Sequence, residues 1–261
     1  RRVAGGAAAL GSRRTPRERS VSQAALELIL FSDLRAHERS VYSQGGEDGV
    51  LAHVFACLGT TNRRFVEFGA WDGRHLSNTA LLRLDGGWTG LLMDGDPERV
   101  GDLVQPEIVT AENVSQLFGK YDVPRAFDLL SIDIDGNEYR IWEAIRDYRP
   151  RVVVIEYNIF FATDVCKTMP YDAAHRWDKT MFHGASLGAL HKLGREKGYS
   201  LVHTDSYTPN AIFVEDAELP PEFVDRPIQQ LASWDWDPGS LPCPGARARY
   251  PVVHGRDELA R

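Results

Sequence analysis

Short apolar runs alternate with amphipathic helical segments along the middle of this chain, and this alternation limits its fold more than any other feature. The run Arg151–Ile155 has no polar face, which is typical of a parallel strand covered by helices on both sides. A similar run, Phe127–Ile132, precedes it, and the helical pattern Glu138–Ile145 lies between them. Repeated along the chain, this pattern predicts an α/β fold with a mostly parallel, doubly wound sheet.

The remaining elements extend the sheet on both sides of this pair. We predict further strands at residues 65–68, 89–93, 107–109, 199–203 and 211–214. We predict helices at residues 24–34, 50–58, 78–84, 97–103, 112–118 and 187–197. Ser77 or Asn78 is expected to cap the third of these helices, and Gly198 to end the last one. The last two strands lie so close together in sequence that they predict an antiparallel edge.

Length and composition indicate one large domain. The 261 residues divide into a basic leader (1–20), a main α/β domain with N-terminal helices (21–214) and a tail that wraps the same domain (215–261), with Trp234 and Trp236 tucked in. The leader has too little apolar surface to order itself, and an electrostatic docking arm is the alternative.

The charge and the cysteines narrow the function classes. The net charge of −7 argues against a nucleic-acid partner. No apolar run approaches the roughly 20 residues of a membrane helix, so we expect no membrane partner. The three cysteines are odd in number and widely spaced, which favours a reducing compartment, the cytoplasm. Whether the chain forms a homo-oligomer stays open.

Acidic residues end four of the predicted parallel strands, at the edge where open α/β sheets bind ligands. The first strand runs into the turn Glu67–Gly73, whose small residues let a ligand approach the backbone. The second ends at Asp94, 21 residues after Gly73, a distance at which an acid typically accepts hydrogen bonds from a ribose. This combination predicts a nucleoside cofactor.

The third and fourth acidic strand ends predict a metal site. Their oxygen-bearing side chains are those of Asp133, Asp135, Glu156 and Asn158. Side chains of this kind, held side by side by neighbouring strands, suit a hard cation such as Mg²⁺. The alternative is that the acids cap helices or accept hydrogen bonds from cofactor amines. Asp135 in particular would then cap the helix that starts near Asn137.

Seven blocks of this sequence resemble the FkbM-like family of class I S-adenosylmethionine-dependent methyltransferases. In order they are Ser43–Gly49, Phe65–Gly73, Ser77–Thr79, Gly87–Leu92, Ser131–Tyr139, Val154–Asn158 and Gly184–Leu187. The resemblance runs from Tyr42 to Val214. It departs from the usual acid-x-Gly-x-Gly-x-Gly turn at Trp71, where the middle glycine is expected.

The resemblance implies a Rossmann-like methyltransferase fold and methyl transfer from S-adenosylmethionine to a small-molecule hydroxyl, on a sugar or natural product. The cofactor contacts that we expect are Gln44, Glu67, Gly69, Ala70, Gly73, Asn78, Asp94 and Asp133. Asp133 matches the first metal ligand of metal-dependent relatives, and Glu156 matches a later one. Those relatives usually follow the later acid directly with Asp or Asn, whereas Tyr157 intervenes here.

The catalytic residues that we predict are Asp133 and His183. A hydroxyl nucleophile must lose its proton, and His183 is a candidate base because it ends the long connection Tyr157–Gly184. Connections of this length are usually functional, and we expect this one to wall the acceptor pocket. Two other functions stay open: non-methyl chemistry on the same cofactor, such as aminocarboxypropyl transfer or cyclisation, and a non-catalytic binding protein of the same fold.

Overall fold

The computed structural model describes residues 33–96, 102–224 and 226–231. Its strands are β1 (Arg64–Phe68), β2 (Thr89–Asp94), β3 (Val104–Pro106), β4 (Ala126–Ile132), β5 (Arg149–Glu156), β6 (Tyr199–Thr204) and β7 (Asn210–Glu215). Its α-helices are α1 (Glu47–Leu58), α2 (Ala80–Leu84), α3 (Val114–Lys120), α4 (Glu138–Ala144) and α5 (Leu187–Lys197). The predicted leader, nearly all of helix 24–34, most of helix 97–103, Trp234 and Trp236 lie outside these described residues.

The seven strands form one sheet in the order β3-β2-β1-β4-β5-β7-β6. The first five are parallel. The chain moves outward from β1 to β3 and then returns to β4 on the other side of β1. This reversal creates a crevice between the carboxyl ends of β1 and β4, which is where open α/β sheets bind ligands. The predicted doubly wound, Rossmann-like α/β fold with a mostly parallel sheet is confirmed.

The antiparallel part of the sheet comes from β7. It pairs antiparallel with β5 on one side and with β6 on the other, so β6 forms the outer edge. The β5–β7 register sets Asn210 opposite Glu156, at the carboxyl end of β5. A register shift between Leu201 and His203 interrupts the β6–β7 pairing, and irregularities of this kind re-aim side chains.

Two apolar clusters cover the two faces of the sheet. One includes Val114, Trp142 and Leu190 from three helices, and the other includes Val50 and Leu82 from the two helices on the opposite face. This arrangement explains why β4 and β5 are apolar on both sides. Among the described residues, no helix is long and apolar enough to cross a membrane.

Two local predictions are wrong. The third strand is Val104–Pro106 rather than 107–109, because Val104–Pro106 pair with Leu92–Asp94 of β2. Glu107, the first residue of the predicted strand, instead binds the side chains of Lys120 and Tyr121 through its carboxylate. Neither Ser77 nor Asn78 caps α2. The helix starts at Ala80 without a side-chain cap, and the two polar residues bond to a buried acid of β1, described below.

A buried ion pair lies near the amino-terminal ends of β4 and β5, on the side of the sheet away from the crevice. Asp128 of β4 accepts a hydrogen bond from Nη1 of Arg151 at 2.9 Å, and both side chains are buried. Backbone N–H groups of residues 61–63 also donate to Asp128. Burial acts to raise the pKa of Asp128, but the bonds from Thr61 and Arg151 outweigh it and hold the pKa below its ordinary value.

We predict that Asp128→Asn lowers the free energy of unfolding by about 2 kcal/mol or more at pH 7, because Arg151 keeps only the half-buried Glu218 as its acidic partner and the N–H groups of residues 61–63 lose their charged acceptor. A depressed carboxyl pKa contributes stability that is lost as pH falls through it. The difference between variant and wild type should therefore shrink below about pH 4. Urea unfolding at both pH values measures it. Asp147→Asn, at an exposed pair with Arg125, is the control and should cost less than about 1 kcal/mol. An equal loss in both variants would contradict the prediction.

Candidate functional site

The turn after β1 packs directly against the end of β4. Gly69 has φ 72°, and a Cβ atom at this position would lie 1.6 Å from the carbonyl oxygen of Asp133. Gly73 has φ 75° and donates its N–H to the carbonyl of Ala70 at 2.7 Å. Ala70 donates in turn to the carbonyl of Met93. Three of the predicted cofactor residues thus form one rigid turn at the crevice, and a side chain at Gly69 is sterically excluded.

Asp94 completes this turn. Its Oδ2 accepts the N–H of Trp71 at 2.8 Å, and its Oδ1 accepts the N–H of Asp96 at 2.8 Å. Trp71 adopts φ 50° and is partly exposed, so the residue that replaces the usual glycine takes a left-handed conformation. The half-buried carboxylate lies beside the turn, and each oxygen has a further lone pair for a ribose hydroxyl.

Glu67 holds a neighbouring loop. Its carboxylate is buried and accepts hydrogen bonds from Ser77 Oγ, the Asn78 N–H and Thr79 Oγ1. Burial raises the pKa of Glu67. Asn78 also donates through Nδ2 to Ser131 Oγ of β4 at 3.1 Å. The predicted direct cofactor contact of Glu67 and Asn78 therefore changes to a positioning role, because both side chains are engaged inside the protein.

The segment before α1 lies against the same turn. Ser43 forms an isolated bridge with Leu76, and the next residue, Gln44, is exposed. Glu47 and Asp48 lie in the first turn of α1, and both are buried. Asp48 Oδ2 accepts backbone N–H groups of residues 41–43, and Glu47 Oε1 accepts Asn210 Nδ2 at 2.7 Å. Two buried acids thus fasten this segment, with Gln44 at its tip.

Three further acids converge at the carboxyl ends of β4 and β5. One oxygen from each of Asp133, Asp135 and Glu156 lies within 4.8 Å of the others, a spacing that allows them to share a metal ion. Burial, then the charges of Asp135 and Glu138, raises the pKa of Asp133 to about 8. Burial, then the charge of Asp133, raises the pKa of Glu156 well above its ordinary range. The helix-capping alternative for Asp135 loses support, because the N-cap of α4 is Asn137.

Asn158 does not join this group. Its buried amide donates to the carbonyls of Met181 and His183 at 2.9 and 2.8 Å, and its Oδ1 accepts the N–H of Phe160. The structure assigns the Asn158 amide to these contacts within the connection, and its role as a metal ligand stays a prediction. The intervening Tyr157 separates it from Glu156, and Asn158 instead ties the two ends of the connection 157–184 together.

Several buried polar atoms beside the acids have no hydrogen-bond partner among the described residues. They are Asn137 Oδ1, Glu138 Oε2, Glu156 Oε2 and His175 Nε2. Burial raises the pKa of Glu138 to about 7, against hydrogen bonds from Gly136 and Ile134 that lower it. Orphaned buried atoms are costly and rare in native proteins. Their concentration here indicates a place for a polar ligand.

Sequence reasoning missed His175 and Glu138. The imidazole of His175 packs against Gly136, where a Cβ atom would lie 2.9 Å from its Nε2. Nothing in the sequence marks His175, because an irregular connection has no periodicity from which to predict a contact. Glu138 carried a weak signal, as an acid in the first turn of a predicted helix, and this position has an obvious dipole explanation.

His183 lies near this cluster, on the same connection as His175. It is half-buried, and its ring makes an edge contact with Trp177 at a centroid distance of 5.9 Å. Burial, helped by His175, lowers the pKa of His183. Tyr171 contacts Glu112 through its hydroxyl, so the structure gives that ring an anchoring contact. Isolated bridges at Asn158–Ser186 and Thr168–Ala185 tie the connection to the two residues that precede α5.

The comparisons with known proteins agree on methyltransferases. Residues 52–201 match the family model described as the methyltransferase FkbM domain. No curated protein matches the chain. Among solved structures, similar chains include an S-adenosylmethionine-dependent methyltransferase from Clostridium acetobutylicum ATCC 824, at 9% identity and TM-score 0.37 over 73% of this chain and 98% of that one. The CurJ carbon methyltransferase is 13% identical, with TM-score 0.39, over 74% of this chain and 67% of that one. The carbon methyltransferase (CMeT) domain of the citrinin polyketide synthase is 14% identical, with TM-score 0.37, over 75% and 66%.

Proposed function

Because the chain belongs to the FkbM methyltransferase family and is therefore an S-adenosylmethionine-dependent methyltransferase, we propose that it methylates a hydroxyl oxygen of a small molecule, a sugar or a natural product. The observation that carries this proposal is the group of orphaned polar atoms beside the acids. Most of them are oxygen atoms that accept hydrogen bonds, so they favour a ligand rich in donors. A hydroxylated acceptor has this chemistry.

The turn 69–73 and Asp94 have the chemistry that the cofactor requires. Gly69 has no room for a side chain, so the turn packs directly against the end of β4 at the crevice. Asp94 offers carboxylate lone pairs to a ribose, and Gln44 offers an exposed amide at the tip of the segment beside the turn. Asp133 faces the turn through its backbone and the acids through its side chain. These residues would hold S-adenosylmethionine across the crevice between β1 and β4.

Methyl transfer to a hydroxyl needs alignment and a proton acceptor. When bound, S-adenosylmethionine supplies an electrophilic methyl group on a positively charged sulfur. The chain must align the hydroxyl oxygen with that methyl group and remove its proton. His183 is the proposed base, because its lowered pKa keeps the ring neutral at pH 7. The connection 157–184 would wall the acceptor pocket and exclude water from it.

The acids beside the crevice favour a bound cation. The sulfonium loses its charge during transfer, so bare carboxylates near it would stabilise the ground state more than the transition state. Mg²⁺ held by Asp133, Asp135 and Glu156 would remove this disadvantage and would lower the pKa of a bound hydroxyl. The raised pKa values of Asp133 and Glu156 are the electrostatic feature that favours a cation there.

We predict that S-adenosylmethionine binds with micromolar affinity, roughly −8 kcal/mol. Asp94→Ala should weaken binding by about 1–3 kcal/mol, because the ribose hydroxyls lose their acceptor. Titration calorimetry measures both values. Asp85→Ala, at an exposed acid at the far end of α2, is the matched control and should bind normally. Absence of heat with the wild type at sub-millimolar cofactor would contradict the assignment.

We predict that a panel of hydroxylated acceptors yields a methyl ether, detected by mass spectrometry, only when Mg²⁺ or Mn²⁺ is present. EDTA should abolish the product, and Asp133→Asn and Glu156→Gln should abolish the response to metal. A product formed equally in EDTA would leave the acids without a metal role. Products that contain the aminocarboxypropyl group, or breakdown of cofactor alone, would overturn methyl transfer in favour of other sulfonium chemistry.

We predict that His183→Ala lowers turnover by about 100-fold or more and leaves cofactor affinity unchanged, as loss of a general base does. A base must be neutral to act, so wild-type turnover should fall only below about pH 6.5, on the acidic side of an ordinary histidine. His175→Ala is the matched variant from the same connection. If His175→Ala loses the activity and His183→Ala keeps it, the base is His175 and the assignment to His183 is wrong.

A further inference from the structure

A second group of metal-ligating side chains lies at the outer edge of the sheet. One ligand atom from each of Glu38, His203 and Asp205 lies within 4.8 Å of the other two. Glu38 follows a short 3-10 helix, His203 stands at the irregular position of β6, and Asp205 follows β6. None of these residues belongs to the crevice between β1 and β4, and the proposed methyl transfer does not use them.

His203 provides the observation that points to a ligand. Its side chain is only 7% exposed, and Nε2 lies 2.9 Å from Oε1 of Glu38. Even so, this nitrogen makes no hydrogen bond with any described residue. A nitrogen and a carboxylate oxygen that approach so closely without a hydrogen bond between them favour a cation bound by both. A neutral imidazole binds a metal ion through a ring nitrogen placed in this way.

The surroundings hold both acids in place. Ser206 donates to Glu38 Oε1 through its N–H and its hydroxyl, at 3.1 and 2.9 Å. Gly46 donates its N–H to Asp205 Oδ2 at 2.6 Å. A side chain at Gly46 would clash with Glu38, since a Cβ atom would lie 2.4 Å from its Cβ. The glycine therefore permits the close packing that brings the segment before α1 to β6.

We propose that Glu38, His203 and Asp205 bind one divalent transition-metal ion, Zn²⁺ in preference to Mg²⁺, and that this ion fastens the segment before α1 to the sheet. Imidazole combined with carboxylates suits Zn²⁺, whereas Mg²⁺ prefers oxygen ligands alone. Ligand atoms lie about 2.0–2.2 Å from a tetrahedral Zn²⁺. The three ligand atoms lie within 4.8 Å of one another, so the side chains must close in on the ion when it binds.

The experiment uses the full chain, stripped with EDTA and dialysed, and then supplied with Zn²⁺ alone or Mg²⁺ alone. We expect one equivalent of Zn²⁺ to be retained at the site. At a hundredfold excess over its Kd, Zn²⁺ should raise the Tm by about 5 °C or more. Mg²⁺ at the same concentration should not reproduce this shift. His203→Gln and Glu38→Gln should each lose the shift, measured within each variant against its own metal-free form.

Two controls separate this site from the others. Asp133→Asn should keep the Zn²⁺ shift, because it alters only the acids of the crevice. His53→Ala should also keep it, although His53 stacks on His37 near Cys57 and offers a surface alternative. A wild type without a Zn²⁺ shift would overturn the proposal, and so would a shift that survives in His203→Gln or disappears in His53→Ala. If His203→Gln does not fold, Glu38→Gln and the retained-metal content decide the question.

Discussion

Buried carboxylates hold three of the described segments at the carboxyl edge of this sheet, and the geometry of the crevice depends on them. Glu67 binds the loop before α2, Asp48 binds residues 41–43, and Glu138 binds the N–H groups of Ile134 and Gly136. Each acid accepts backbone hydrogen bonds, so fixed N–H donors take the place of the water that would otherwise solvate its carboxylate. The donors lie on the loops and the acids lie on strands or helices, so the elements that carry the acids fix the positions of these loops.

These buried acids also concentrate negative charge at the carboxyl edge of the sheet. Each buried carboxylate lies within the field of the others, and the acids that hold loops raise the pKa of those that do not: the charges of Glu47, Glu67 and Glu138 all act on Asp133. For stability alone, apolar side chains of similar volume would serve as well as these buried carboxylates or better. Their concentration where the β1 turn meets β4 is consistent with the positively charged partners proposed above, a sulfonium and a divalent metal ion.

The sequence predicted the fold better than it predicted the site, for a physical reason. Strands β4 and β5 could be predicted because burial on both faces leaves them with few polar positions. Strand β3 has only three residues, which are too few to show a hydrophobic period. Asp94 could be predicted because spacing along one β-α-β unit fixes it relative to Gly73. The positioning role of Glu67 could not be predicted, because it depends on donors ten to twelve residues away in a loop. His175 depends on the path of an irregular connection, which no local pattern encodes.

The outer cluster and the crevice are linked by short polar steps. Asp205 accepts the N–H of Thr208, Thr208 and Asn210 donate to Glu47, and Asn210 pairs in register with Glu156. Each step joins residues that are buried or half-buried. In a close-packed interior, the displacement of one of these residues therefore also shifts its neighbours. An ion at Glu38 and His203 would therefore restrict Glu47 and, through Asn210, the acid that ends β5. Coupling of this kind needs no movement of the sheet. It would act by restricting the positions of the segment that carries Gln44, beside the turn 69–73, and such preorganisation would favour binding of the proposed cofactor.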